Sequence, residues 1–233
     1  MPRNISLDAR LSLAYDLYDP CELAADIGTD HAHLPAALLQ RGRCRHMILT
    51  DLSESALRNA RDEMIRFRLT DRVTLRAGNG LEPLDEACGM ISVTGMGGRT
   101  IRDMLLSGRD RLQGASLLLS AHTDLPWIRE ALLQLGYGLE REEPCLCAGH
   151  FYLVLRARPG GAGAFSPRQV RLGGPLFTSA SPFLRPYLAW QREILAARLA
   201  GLARLQTPDA SQTARMVCLR EDIAFLDAFL EET

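Results

Sequence analysis

The sequence predicts an α/β fold in which a mostly parallel sheet is covered by helices on both faces and is followed by a small α-helical hairpin. Short apolar runs alternate with segments of helical spacing between residues 23 and 155. Continuous apolar strands joined by helices are typical of parallel sheets. After Arg158, the strand-like runs stop and only helical spacing remains. A chain of 233 residues is long enough for one substantial core and an accessory element.

The first half of the predicted sheet contains three strands and two connecting helices. The strands are expected at residues 23–27, 47–49 and 73–75, and the helices at residues 31–40 and 55–67. The second helix has apolar residues at positions 57, 60, 64 and 67, which is a clear helical spacing. Ser53 precedes this helix and is placed to cap its N-terminus.

The second half of the sheet continues the alternation. Strands are expected at residues 90–93, 116–119 and 151–155, and helices at residues 99–107 and 126–135. Ligands in such sheets bind at the carboxyl ends of the strands. Four residues follow these ends: Gly28, Asp51, Asn79 and Gly95. The sequence therefore predicts a binding site where these residues meet.

The last part of the chain predicts a separate helical element. We expect a sheet domain over residues 1–158, a Gly/Pro-rich linker over 159–167 and a helical hairpin domain over 168–233. Five apolar residues follow a coiled-coil spacing of 3, 4, 3 and 4, namely Met216, Leu219, Ile223, Leu226 and Leu230. A Thr-Pro-Asp break at 207–209 separates them from an earlier helical segment at 183–205.

Composition and charge leave the partner open. The net charge is −1, and all 27 basic residues are arginine, whose planar fork binds phosphate well. An even overall balance can hide a basic face, so a nucleic-acid partner remains compatible with the sequence. The first 19 residues contain no apolar signal-peptide core, and no apolar run approaches the roughly 20 residues of a membrane helix. We therefore expect a soluble, cytoplasmic protein.

The six cysteines predict no metal site. They stand at positions 21, 44, 88, 145, 147 and 218, without a Cys-x-x-Cys pair. Cys145 and Cys147 have no matching His or Cys pair nearby in the sequence, so buried or strand-facing thiols are favoured over metal ligands.

The loop after the first strand predicts the cofactor. Residues 26–31 read Asp-Ile-Gly-Thr-Asp-His, with one glycine and two carboxylates. A dinucleotide-binding loop usually carries Gly-x-Gly-x-x-Gly against a pyrophosphate, whereas fixed negative charge suits a sulfonium or an ammonium group. Asp51, at the end of the second strand, is placed to hold ribose hydroxyls. This pattern favours S-adenosylmethionine over NAD.

Structural interpretations of the same residues stay open. Asp51 can instead cap the helix that begins near Ser53, and Asp26 can tie down the loop backbone. His33 is expected to face solvent at the start of a helix, while His31 fits a site position and a solvent position equally well.

A glycine-rich loop follows the fourth strand, where residues 95–98 read Gly-Met-Gly-Gly. Such a cluster lets another backbone or a flat ligand approach closely. It also fits a tight strand-to-helix turn, and both interpretations can hold together. Its position makes it a candidate part of the site.

Several sequence strings resemble a known family. They are DIGTDHAHLP at 26–35, TDLSESALRNA at 50–60, RVTLRAGNGLEPL at 72–84, VTGMGGRTIRDML at 93–105 and GHFYLVL at 149–155. Together with the helical tail, they resemble the bacterial tRNA (adenine-22-N1)-methyltransferase family. The resemblance implies a Rossmann-like class I methyltransferase with a coiled-coil-like C-terminal domain. It also implies S-adenosyl-L-methionine as cofactor and methylation of N1 of an adenine in tRNA, with no metal and no membrane.

The resemblance further implies roles for individual residues. The implied cofactor-binding positions are Asp26, Gly28, Thr29, Asp51, Leu52, Asn79, Gly80 and Gly95. Asp30 is implied as the catalytic carboxylate, and His31 beside it is a second catalytic candidate. The target base is expected to border Met96, Gly97, Gly98 and His122.

Two departures from the family pattern bear on the substrate. Asn79 stands where the family usually has aspartate, although its carbonyl can still accept from an adenine amino group. Residues 120–124 read Ser-Ala-His-Thr-Asp where the family tends to show Gln-Pro-Asn. Three alternatives stay open: another RNA site or a small molecule as substrate, a catalytically silent protein that binds S-adenosylmethionine or RNA, and a dehydrogenase.

Arginines of the predicted hairpin bear on the partner. Arg185, Arg192, Arg198 and Arg204 recur at spacings of 7, 6 and 6. They fit an arm that grips the tRNA backbone, but a packing or dimerisation element with solvated charges explains them equally well. The family resemblance favours the arm.

Overall fold

The computed structural model describes residues 5–121, 123–160 and 165–232. The chain divides into two compact units, Met1–Ser179 and Ala180–Thr233. The first unit contains the sheet, and the second contains two long helices.

One seven-stranded sheet forms the centre of the first unit. Its strands are β1 (Cys21–Ile27), β2 (Cys44–Asp51), β3 (Val73–Ala77), β4 (Met90–Thr94), β5 (Ser116–Ala121), β6 (Tyr137–Cys147) and β7 (His150–Pro159). The strand order is β3-β2-β1-β4-β5-β7-β6. Strands β1 to β5 are parallel, and β7 runs antiparallel to both of its neighbours. The prediction of a mostly parallel, Rossmann-like sheet is confirmed, and strand order reverses between β1 and β4.

Among the described residues, six α-helices accompany this sheet. They are α1 (Ala9–Asp16), α2 (His33–Gln40), α3 (Glu54–Phe67), α4 (Gly98–Ser107), α5 (Leu125–Gln134) and α6 (Pro167–Leu172). Ser53 caps α3 as expected, because its Oγ accepts a hydrogen bond of 3.4 Å from the amide of Ala56. The central strand β1 is buried from Ala24 to Ile27, so the loop after it begins on a rigid support.

Three elements of the first unit are absent from the sequence prediction: α1, α6 and β6. Charged residues interrupt the apolar pattern in each of them. In β6, residues 140–143 read Glu-Arg-Glu-Glu, yet the Glu142 and Glu143 side chains are buried. These carboxylates are buried because each has hydrogen-bond partners, a pairing that hydrophobic periodicity does not reveal.

A buried ion pair explains why the first unit extends beyond the predicted boundary at residue 158. Arg129 Nε donates to Glu142 Oε1 at 2.7 Å, with both side chains fully buried. Arg129 also donates to the carbonyl of Val170, and Glu142 accepts from the amide of Gly174. These bonds attach α6 and the segment after it to the sheet, so residues 168–179, which we expected in the hairpin domain, belong to the first unit. Residues 161–164 of the predicted linker lie outside the described residues.

The cysteines lie mainly in strands, as expected. All six are free thiols, and Cys44, Cys88 and Cys145 are buried. Among the described residues, no group of His, Cys, Asp or Glu is arranged to hold a metal ion.

The second unit is an antiparallel pair of helices, α7 (Leu184–Ala203) and α8 (Ala210–Glu231). Asp209 and Gln212 form a capping box at the start of α8, immediately after the predicted break. Leu219 and Leu226 of the predicted coiled-coil stripe are buried. The predicted helical hairpin is therefore confirmed. None of the described helices has the length and apolar character that a membrane crossing requires.

Candidate active site

A cleft of about 290 Å³ opens at the carboxyl ends of β1 and β4. Its lining contains six of the predicted site residues, namely Asp26, Gly28, Thr29, Asp30, His31 and Gly95. The remaining lining residues are Arg10, Leu11, Ala32, His33, Leu34, Pro35 and Thr94. The cleft lies at the reversal of strand order, where ligands of open α/β sheets bind.

The loop after β1 is fixed by the end of β2. The amides of Gly28 and Thr29 both donate to the carbonyl of Thr50, at 2.8 and 3.1 Å. Gly28 has a φ of +74°, and a Cβ on it would lie 2.3 Å from Cε of Met96. The left-handed backbone therefore favours glycine here, and the terminal methyl of Met96 would have to move to admit a Cβ.

Asp26 is a buried carboxylate on the wall of the cleft, with 4% of its surface exposed. Ser92 Oγ donates to Asp26 Oδ1 at 2.5 Å. Burial raises the pKa of Asp26 to about 6, although hydrogen bonds from Ser92 and Thr29 and the charge of Arg10 oppose that rise. The neighbouring Asp51 charge adds to it. A cationic group bound beside Asp26 would favour its ionised form.

Asp30 is an exposed carboxylate at the mouth of the cleft. Asn59 Nδ2 of α3 donates to Asp30 Oδ1 at 3.1 Å, and His31 Nε2 lies 3.3 Å from Asp30 Oδ2. The His31 ring stacks on His33 with centroids 5.7 Å apart, and His33 Nδ1 lies 3.3 Å from a carboxylate oxygen of Glu63. Asp30 is thus held in position by neighbours while more than half of its side-chain surface stays accessible.

The predicted residues on β2 and β3 lie at the same edge of the sheet but do not line this cleft. Asp51 Oδ1 accepts a 2.7 Å hydrogen bond from the amide of Ser53, the residue that caps α3, so this oxygen braces the turn before the helix and does not cap it. Leu52 is 74% exposed. Asn79 is exposed in the turn after β3, and the carbonyl of Gly80 accepts from Thr50 Oγ1.

The glycine-rich loop after β4 leads into α4 and lies beside the cleft. Gly95 lines the cleft, and Met96 contacts the Gly28 position from the other side. At Gly98, a Cβ would lie 2.4 Å from the carbonyl oxygen of Asp124, so this glycine permits the close approach of another backbone, at 123–124. The approach of a flat ligand to this loop stays a prediction. Gly97 has open space around it. His122, the last predicted substrate-binding residue, lies outside the described residues.

Comparison with known proteins identifies the family. A family model described as a methyltransferase domain matches residues 7–155. The chain belongs to this family. The curated tRNA (adenine(22)-N(1))-methyltransferase of Bacillus subtilis (strain 168) is 29% identical over 162 residues, which cover 69% of this chain and 68% of that protein. The resemblance seen in the sequence strings is confirmed.

Solved structures extend the likeness of this methyltransferase over nearly its whole length. The tRNA methyltransferase TrmK of B. subtilis has a TM-score of 0.85 at 22% identity, covering 97% of this chain and all of TrmK. Sp1610 of Streptococcus pneumoniae, in complex with S-adenosyl-L-methionine, has a TM-score of 0.83 at 25% identity over 97% of this chain and 100% of Sp1610.

One charged residue on the cleft wall, Arg10 of α1, is absent from the site predicted from the sequence. Its Cζ lies 5.3 Å from the centroid of the Tyr152 ring of β7. Its Nη1 is buried and has no hydrogen-bond partner among the described residues. No motif marks this arginine, because it lies in a short helix before the first strand and reaches the cleft only through tertiary packing.

Proposed function

We propose that this methyltransferase transfers a methyl group from S-adenosyl-L-methionine to N1 of an adenine in tRNA, at position 22 as in the name of its B. subtilis relative. The observation that carries the proposal is the cleft at the end of β1, where Asp26 and Asp30 supply negative charge and glycines replace side chains. In keeping with a tRNA substrate, we also propose a cytoplasmic location.

The cleft residues fit S-adenosyl-L-methionine in charge and shape. The cofactor carries a sulfonium and an α-ammonium group, and Asp26 is a carboxylate whose charged form is disfavoured until a cation binds nearby. Thr29 lines the same wall, and a hydrogen bond from its side chain helps to lower the pKa of Asp26 against the effect of burial. Gly95 leaves room for a flat ligand against the backbone, because a Cβ on it would meet only Arg10 Nη1, at 3.9 Å.

The sequence resemblance assigns the other end of the cofactor to β2 and β3. Asp51 accepts the Ser53 amide with Oδ1, and its Oδ2 accepts no bond from a described residue. A ribose hydroxyl can therefore donate to Asp51 Oδ2 without breaking the bond between Oδ1 and the Ser53 amide. Asn79 is exposed in the neighbouring turn, where its side-chain carbonyl can accept from an adenine amino group. Leu52 and Gly80 are assigned to the same end.

Asp30 is proposed as the catalytic carboxylate. Bound S-adenosyl-L-methionine supplies an electrophilic methyl group, which the lone pair of neutral adenine N1 can accept without prior deprotonation. The methylated ring carries a positive charge or sheds a proton from N6. Asp30 is exposed at the mouth of the cleft and is oriented by Asn59, so it can stabilise that charge or accept the proton. His31 is placed to hold Asp30 rather than to act independently.

The target base must reach this cleft from a folded RNA. N1 of a paired or stacked adenine is hidden, so the nucleotide has to be extruded into the site. The loop that carries Met96, Gly97 and Gly98 borders the cleft, and Gly97 has open space around it for a flat base. His122 belongs to the same proposed substrate face.

The α7–α8 hairpin is proposed to grip the tRNA. Of the four arginines singled out in the sequence, two are used within the hairpin: Arg185 donates to the carbonyl of Leu230, and Arg192 Nε donates to Asp227 Oδ1 at 2.9 Å. The other two, Arg198 and Arg204, have no ion-pair partner among the described residues, so they are available for phosphates.

The test is methyl transfer from radiolabelled S-adenosyl-L-methionine into bulk bacterial tRNA, followed by nucleoside analysis and primer extension. The expected result is labelled N1-methyladenosine and a primer-extension stop at position 22. A transcript with guanine at that position is the matched control and should take up no label. Label at another RNA position would mean that the enzyme methylates a different nucleotide. Absence of label despite cofactor binding would refute the assignment of tRNA as the substrate.

A further inference from the structure

The Arg10 guanidinium is the one charged group on the cleft wall that the proposed function leaves without a role. It reaches the cleft from α1, and its Cζ lies 5.3 Å from the centre of the Tyr152 ring, which orients it. Its Nη1 is buried without a hydrogen-bond partner among the described residues. Buried donors in folded proteins are normally paired, so this nitrogen indicates a missing acceptor.

The space beside Arg10 is open to a ligand. A Cβ placed on Gly95 would lie 3.9 Å from Arg10 Nη1, so the residue that faces the guanidinium is a glycine with no side chain to offer. Thr94 and Leu11 complete this part of the wall and contribute no carboxylate. A bound molecule with an acceptor at this position can therefore pair with Arg10.

Arg10 and Asp26 place opposite charges on the same cleft. The Arg10 charge acts on Asp26, since it lowers the pKa of that carboxyl against the effect of burial. No ion pair joins the two side chains, although both are among the described residues and line the same cleft. A positive and a negative group are thus close but separate, which matches a ligand that carries both charges, such as the free end of an α-amino acid.

We propose that Arg10 binds the α-carboxylate of the methionine part of S-adenosyl-L-methionine, while Asp26 faces its α-ammonium group. This inference rests on the proposed cofactor and adds a residue that selects for its amino-acid end. Guanidinium donates two parallel hydrogen bonds to a carboxylate, a geometry that lysine cannot reproduce. Arg10 therefore distinguishes the intact cofactor from one that has lost its carboxylate.

The experiment compares two ligands on the full chain by isothermal titration calorimetry: S-adenosyl-L-methionine and its decarboxylated form. Arg10→Met should weaken binding of S-adenosyl-L-methionine by about 10- to 100-fold, the range for a hydrogen bond to a charged group. It should leave binding of the decarboxylated form unchanged within about 2-fold. The affinity of Arg10→Lys for S-adenosyl-L-methionine should lie between the affinities of the wild type and of Arg10→Met. Arg61→Met, which removes an exposed arginine of α3, is the control and should change neither affinity.

The outcomes separate this inference from the proposed function. An equal loss for both ligands would mean that Arg10 only supports the fold of the cleft, and no loss for either would also overturn its role. If the wild type binds neither ligand, the cofactor assignment itself fails. Should Arg10→Met not fold, the same two affinities measured on Arg10→Lys and on the wild type still test the role of Arg10. The wild type should bind the decarboxylated form about 10- to 100-fold more weakly than S-adenosyl-L-methionine.

Discussion

Replacing Asp26 with asparagine should stabilise the ligand-free protein while weakening its binding of S-adenosyl-L-methionine. Asparagine has nearly the same shape, and its side-chain carbonyl can still accept the 2.5 Å hydrogen bond from Ser92 Oγ. The substitution therefore removes the buried charge and keeps the main polar contact. A residue retained for function at a cost in stability should behave in this way.

The magnitude follows from the raised pKa of Asp26. Because a tenfold change in an equilibrium constant is worth about 1.4 kcal/mol, a rise from 3.8 to about 6 makes ionisation about 3 kcal/mol costlier in the folded protein. Asp26 is buried, so solvent screening does not reduce this figure much. The protonated carboxyl favours the fold below about pH 4, and that contribution is lost as the pH rises through about 6. Above pH 6, Asp26→Asn has no buried charge and therefore avoids the whole free-energy cost of ionising Asp26.

Urea denaturation of ligand-free wild type and Asp26→Asn at pH 5 and pH 8 measures the effect. The free energy of unfolding of the variant should exceed that of the wild type by up to about 3 kcal/mol at pH 8 and by roughly half as much at pH 5. Asp62→Asn, at an exposed position of α3, is the matched control for loss of a carboxylate. Curves for Asp26→Asn that coincide with the wild type at both pH values, or that lie below it, would refute the argument.

Three further predictions address the remaining roles. Asp30→Asn should lower kcat about 100-fold in the tRNA methylation assay and leave the Kd of S-adenosyl-L-methionine unchanged in calorimetry, whereas unaltered turnover would contradict its role. Asp51→Ala should raise that Kd about 10-fold in the same titration, since a charge-assisted hydrogen bond to ribose is lost, and an unaltered Kd would contradict it. Replacing Arg198 and Arg204 together with alanine should weaken tRNA binding in a filter assay. The slope of log affinity against log salt concentration should become smaller in magnitude by roughly 2. Arg109→Ala is the control, and an unchanged slope in the double variant would refute the role of these arginines.

Much of the site could be predicted because sheet topology brings strand ends together. Gly28 and Gly95 are 67 positions apart in the chain, yet both follow parallel neighbouring strands and line one cleft. The apolar runs are sufficient to predict those strands, so the polar residues after them could be assigned to one edge. The same reasoning predicted Asp51 and Asn79 in one site with them, whereas in the structure both lie at that edge but do not line the cleft, because periodicity does not give the direction of a side chain.

What the sequence did not predict depends on specific tertiary pairs. β6 was missed because Glu142 is charged in the sequence and becomes compatible with burial only through Arg129, 13 positions earlier. Arg10 was missed because its environment is built by Tyr152 of β7, far away in the chain. Both cases involve charged residues whose burial is decided by partners that no local pattern identifies.

The two kinds of buried charge differ in a way that separates structure from function. Arg129 and Glu142 bind each other directly and attach residues 170–176 to the sheet, so their charges are compensated inside the protein. Arg10 and Asp26 lie on one cleft without forming such a pair. Burial disfavours the charge of Asp26, and its raised pKa records that cost, which the charge of Arg10 offsets only in part. Because both side chains are held on the cleft wall before binding, a zwitterionic ligand meets them with little reorganisation, which favours tight binding.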